Sequence, residues 1–184
     1  IDPNGVTINV AVHTDPQSAT EEFLRTLNGG SLPAIVPLTA SELDYMVAMN
    51  GASGRLSLNT SDVYTSLEAS ALSPRDSAAA FVDGFLDAIG TYATELKSIT
   101  PPAAISDVHA EYLGILAQIL DSREEVLAAL DEAGGADTPE LLQNATAMTS
   151  LPGLFEQQRK LCQTLEDYSF LHDGPRPCSS AADQ

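Results

Sequence analysis

Phe81, Phe85, Ile89, Tyr92, Leu96 and Ile99 follow one another at steps of four, four, three, four and three, and this run constrains the chain more than any other feature. Such steps put every member on one face of an α-helix, a geometry that a strand cannot use. Ser73-Pro74-Arg75-Asp76 opens the helix with an N-cap, a proline at the first position and an acid at the third. Pro101-Pro102 ends it, because the residue before a proline avoids the helical region and the ring removes a backbone donor. A second long helix is expected from there to about Ala133, with Ile105, Val108, Tyr112, Ile115 and Ile119 in line and Leu113, Leu116 and Leu120 widening the face. Gly134-Gly135 ends that helix, and a face so broad must be covered by other helices.

The rest of the chain supplies shorter elements. Thr138-Pro139-Glu140 starts a short helix carrying Leu141, Leu142 and Met148, and Leu151 to about Phe170 forms a last long one with Leu154, Phe155, Leu161, Leu165 and Tyr168 inward. Before residue 73 the signals are weaker. Ser18-Ala19-Thr20-Glu21 and Thr39-Ala40-Ser41-Glu42 are capping boxes, the second before Leu43, Met46 and Val47, with Gly51 as the expected stop. A further short helix is expected from Thr60 or Ser61, using Val63, Tyr64, Leu67 and Ala71. Val6, Ile8, Val10 and Val12 alternate with more polar residues as in a half-buried strand, and Arg55 to Asn59 is the candidate partner. The expected fold is mainly α, an antiparallel helical bundle with a short N-terminal β element. It reads as a single domain over 1–184, with 1–72 as strand plus short helices, 73–171 as the bundle core and 172–184 as a tail.

Charge and cysteine content bound the setting. Twenty-six acids against eight bases give a net charge of -18, which repels phosphate backbones and anionic lipid surfaces, so no nucleic acid is expected as partner. Divalent cations could collect at such a surface. No stretch approaches the length of a membrane span. Cys162 and Cys178 flank the turn-rich run His172-Asp173-Gly174-Pro175-Arg176-Pro177, so the chain can double back and pair them. A disulfide there would stabilise the fold by roughly 3 kcal/mol and points to an extracytoplasmic compartment. The start at Ile1-Asp2-Pro3, without Met, fits a removed export signal.

Chemistry-bearing residues are few. His109 could bind a metal or shuttle a proton, but Asp107 and Glu111 lie two residues to either side and do not share its helix face, which favours a structural histidine bonded to a neighbouring helix. His13 and His172, beside Asp15 and Asp173, read as turn residues. Asp131, Glu132, Asp137 and Glu140 cluster around Gly134-Gly135 and could offer oxygens to calcium, although their spacing is not that of an EF-hand and helix capping explains them as well. Metal candidates are thus His109, Asp131, Asp137 and Glu140, all weak, and no cofactor is expected. No nucleophile elbow, phosphate loop or Cys-His pair occurs. Asn59 and Asn144 begin glycosylation sequons, which matter if the source glycosylates asparagine. The strand of Val6, Ile8, Val10 and Val12 could instead add to a sheet edge of a neighbouring subunit.

Pro101-Pro102 followed by the helix with His109, then Leu154-Phe155 through Cys162 and the terminal Cys178, resembles a loose group of uncharacterised exported bacterial proteins with helical-bundle domains, some of them lipid-anchored. The resemblance spans roughly residues 74 to 178 and implies export and a bundle, without an activity. No lipid-attachment cysteine stands near Ile1. The functional expectation is a non-catalytic extracytoplasmic protein, a binding module or an accessory or structural subunit of a surface assembly with a protein partner or with itself. The alternative is a helical bundle that binds a small molecule or a metal, and an enzyme comes after both.

Overall fold

The computed structural model describes residues 36–68 and 71–178. The strand expected from Val6 to Val12 and the helix expected after Ser18 lie outside the described residues. From Pro37 onward the described residues belong to one compact unit. Its elements are α1 (Ala40–Glu68), α2 (Pro74–Ser98), a 3-10 turn (Ala103–Ile105), α3 (Ser106–Asp121), α4 (Arg123–Glu132), α5 (Thr138–Ala147) and α6 (Leu151–Leu171). The unit is a helical bundle, and no strand occurs among the described residues.

The helix starts follow their sequence signals. The Ser73 hydroxyl accepts from the Asp76 backbone N–H at 3.2 Å, and Asp137 caps α5 by accepting from the Glu140 N–H at 2.9 Å. At α1 the capping box is reciprocal: the Glu42 N–H donates to the Thr39 hydroxyl at 3.4 Å and the Thr39 N–H donates to the Glu42 carboxylate at 2.7 Å. The other Glu42 oxygen accepts from the Tyr168 hydroxyl at 2.5 Å, which ties α1 to α6.

α2 is the central helix and packs against α1, α3, α4 and α5, while α3 packs against α6. Its buried face runs through Ala78, Val82, Leu86, Ile89, Ala93 and Leu96, and small residues alternating with large ones let neighbours approach. The closest approach is at Gly84, where a Cβ would lie 2.9 Å from Val63 of α1. Ser53 meets Tyr92, Val63 meets Gly84 and Tyr64 meets Phe81, so partners descend along α2 as residues ascend along α1 and the pair is antiparallel. Leu86, Leu96, Leu116, Ile119 and Leu165 are fully buried, each stabilising the fold by about 1.5–3 kcal/mol.

Four expectations are corrected here. Gly51 does not end a helix, Arg55 to Asn59 is not a strand and no separate helix starts at Thr60 or Ser61, because α1 runs unbroken for 29 residues through all three. Glycine inside a helix costs only about 1 kcal/mol relative to alanine, and the burial of Tyr45, Met46, Met49, Ala52 and Ser53 against the bundle outweighs it. The alternation over 55–59 reflects no sheet: Leu56 packs on the core while Leu58 is exposed, and Arg55 reaches Glu95 of α2 at 2.9 Å. The helix expected to reach Ala133 breaks at Ser122, whose hydroxyl donates back to the Ile119 carbonyl at 2.7 Å and competes with the backbone ladder. That break lets Arg123 donate to Asp83 at 2.6 Å and to Asp87 at 2.5 Å.

After α6 the chain reverses through a Schellman turn. Asp173 sits at φ 58°, its N–H donates to the Phe170 carbonyl at 3.2 Å, and the Gly174 N–H donates to the Ser169 carbonyl at 2.8 Å. A Cβ at Gly174 would collide with Leu38 and Ser169, so glycine is required. The tail then runs back along α1: Asn50 donates to the Arg176 carbonyl at 2.7 Å, Ser53 donates to the Pro177 carbonyl at 3.2 Å, and Cys178 pairs with Cys162 with Cα atoms 5.8 Å apart.

Candidate functional site

The bundle holds one polar thread through its core and one apolar groove at its side. The thread starts at Gln158 of α6, whose amide donates to the Tyr112 hydroxyl at 2.9 Å. Tyr112 and Tyr92 hydroxyls lie 3.2 Å apart, and Tyr92 and Ser53 hydroxyls a further 3.2 Å. Because the Pro177 carbonyl can only accept, Ser53 spends its proton there and each tyrosine must donate toward it. The Cys162 sulfur lies 3.5 Å from the Tyr112 hydroxyl. Burial raises the pKa of Tyr92, and that of Tyr112 well above the ordinary phenol value. Four helices and the tail are thus linked in register by this chain of hydrogen-bonded hydroxyls.

His109 has a comparable role. Its Nδ1 lies 2.9 Å from the Tyr45 hydroxyl, and it also bonds the Leu96 backbone carbonyl. In the neutral ring, which burial favours, the one N–H serves the carbonyl and Nδ1 accepts from the Tyr45 hydroxyl. Burial lowers its pKa, the Leu96 bond opposing this in part. The acids named with it lie elsewhere. Asp131 accepts from Arg75 at 2.6 Å, Asp137 caps α5, and the Glu140 carboxylate accepts from the Ala136 N–H at 2.7 Å. Among the described residues no group of three or more His, Cys, Asp or Glu could hold a metal ion, and no helix is long and apolar enough to cross a membrane. His172 stacks near Tyr168 at the end of α6, with ring centroids 4.7 Å apart. Both sequon asparagines lie inside helices: Asn59 is exposed on α1, and Asn144 on α5 donates to the Gly134 carbonyl at 2.5 Å.

The groove, of about 840 Å³, opens between the C-terminal turns of α1, the first half of α2, and α5 with the start of α6. α1 contributes Tyr64 and Leu67, and α2 contributes Phe81 and Phe85. From α5 come Pro139, Leu142, Gln143, Thr146 and Ala147, spaced so that one helical face looks into the opening. Phe155 of α6 closes the end. Tyr64, Phe81, Phe85 and Phe155 form a continuous aromatic row, with successive centroids 4.7, 5.7 and 6.2 Å apart. Among the described residues, none that lines the groove is charged. The side chains of Ser77, Gln143 and Thr146 make no hydrogen bond to other described residues.

Sequence reasoning placed Phe81, Phe85 and Phe155 in the core, whereas they are half-buried walls of this groove. α2 carries more apolar surface than its neighbours cover: Val82, Leu86 and Ile89 form the buried line, and the two phenylalanines lie beside it. The legible signal was the excess, two adjacent apolar lines on one helix.

Fold and site together define a helical bundle with a groove on its flank whose described lining residues are apolar or neutral. No protein-family model, no curated protein and no solved structure matches the chain.

Proposed function

We propose that this protein is a non-catalytic, extracytoplasmic binding module that carries a small apolar molecule in the groove walled by Phe81, Phe85, Leu142 and Phe155. The observation that carries the reading is the groove: about 840 Å³, within the roughly 300–1,000 Å³ of small-molecule sites, and lined by aromatic and aliphatic side chains with the unpaired polar groups of Tyr64, Ser77, Gln143 and Thr146. Its described lining residues include no carboxylate, histidine, lysine or arginine to serve as a general acid or base. The Cys162–Cys178 pair supports an oxidising compartment. Resemblance to exported bundle proteins points the same way.

The test is uptake of N-phenyl-1-naphthylamine, a neutral dye that fluoresces in apolar sites and is excited apart from protein aromatic residues. Saturable uptake by the wild type, abolished in Ala147→Trp, is expected. Ala147 is an exposed wall residue, so the bulky ring fills the opening without disturbing the core. Dye uptake equal in both proteins, or absent in the wild type, would rule the reading out.

A further inference from the structure

We infer that the ligand of this groove is electrically neutral, a lipophile bearing an alcohol, ester or amide group, and that amphiphilic ions are rejected. This rests on the groove being a ligand site. Four described arginines pair away from the groove, Arg55 with Glu95, Arg75 with Asp131, Arg123 with Asp83 and Asp87, and Arg159 with Glu156, and Arg176 is not among the lining residues. Among the described residues no cation or carboxylate lines the opening, so a charged headgroup drawn against them would lose water and gain no counter-charge. Ser77, Gln143 and Thr146 offer what a neutral polar group needs, two hydroxyls and one amide that can each donate or accept. Beside the aromatic row, they recognise a molecule with one hydrogen-bonding end and an apolar body. The net charge of -18 acts against an anion and against a second copy of this chain as occupant. Its attraction for a cation is screened beyond about 8 Å at physiological salt, leaving the local absence of an acid to decide.

The experiment is displacement of bound N-phenyl-1-naphthylamine by decanol, decanoate and decylammonium, matched in chain length, at neutral pH and about 0.15 M salt. Decanol should displace the dye at roughly tenfold lower concentration, or less, than either ion. Gln143→Lys, at an exposed wall position, should raise the potency of decanoate several-fold relative to that of decanol, a change of ratio that simple differences in water solubility would not produce. Decanoate or decylammonium as potent as decanol on the wild type would overturn the inference while leaving the groove a ligand site. No dye uptake, with sedimentation showing a dimer that Ala147→Trp dissociates, would overturn both, because the occupant would then be a second copy.

Discussion

Replacing Cys178 by serine tests how the C-terminal tail is held. The residues Cys162 and Cys178 are separated by 16 positions, and closing a loop of about that size removes roughly 3 kcal/mol of entropy from the unfolded chain. The tail has other anchors, the bonds from Asn50 to Arg176 and from Ser53 to Pro177, which contribute only about 0.5–1.5 kcal/mol each. They therefore keep the tail docked in the variant without replacing the cross-link. For a unit of this size a loss of about 3 kcal/mol lowers the melting temperature by roughly 6–12 °C. Calorimetry of Cys178→Ser, Cys162→Ser and the double variant should give three nearly equal shifts, since each removes the same bond and the effects cannot add. Hydrogen exchange at the Gly174 amide, protected by the Ser169 carbonyl, should quicken in all three. Shifts below about 2 °C, or a double variant losing twice what each single one loses, would refute the loop-closure reasoning.

Further perturbations separate packing from charge. Gly84→Ala should destabilise the protein, since about 1–3 kcal/mol of overpacking against the stiff Val63 exceeds or offsets the helix-propensity gain of about 1 kcal/mol. Gly54→Ala, with no atom within 4 Å of the new carbon, should stabilise it by up to about 1 kcal/mol; urea melts giving both variants the same sign would contradict this contrast. The Glu42 carboxyl is held at about 2 against an ordinary 4.5, chiefly by the Tyr168 hydroxyl and then by Thr39. Its contribution is complete above pH 4.5 and fades as pH falls toward 2, so Glu42→Gln should flatten that limb of the acid-unfolding curve, and an unchanged curve would dismiss the link. Burial lowers the His109 pKa, so below pH 6.5 the unfolded chain takes up a proton that the folded one resists and stability declines. His109→Gln should make the decline in melting temperature below that pH shallower, and equal slopes would argue against the buried neutral ring.

The sequence exposed most of the bundle because its helices announce themselves twice, by caps and by period. Ser73, Asp137 and the Thr39–Glu42 box all cap the helices they precede, and α2, α3, α5 and α6 start within a few residues of where period and proline put them. α1 was hidden because its middle carries Asn50, Gly51, Ser53, Gly54, Ser57 and Asn59, a composition that belongs to turns. It is helical because tertiary contacts hold it: Ser53 to Tyr92 and Pro177, Asn50 to Arg176, and Val63 on Gly84. The partners of Ser53 and Asn50 are 39 to 126 positions away in sequence, beyond the reach of any local pattern. The break at Ser122 was equally silent, since one serine inside a leucine-rich run changes no period. The groove was unreadable for a different reason. Periodicity reports that Phe81 and Phe85 share a face, but what covers that face depends on where α5 and the start of α6 arrive.

Three of the five phenylalanines, Phe81, Phe85 and Phe155, line the groove, while Phe170 is exposed at the end of α6. A ring-13C phenylalanine spectrum titrated with decanol therefore tests directly whether this groove is where an apolar ligand binds. The expected result is saturable shifts of the Phe81, Phe85 and Phe155 signals with intermolecular contacts from their rings to the alkyl chain, and a stationary Phe170. Shifts at Phe170 equal to those three, or none at the three up to the solubility limit of decanol, would contradict a ligand-binding groove.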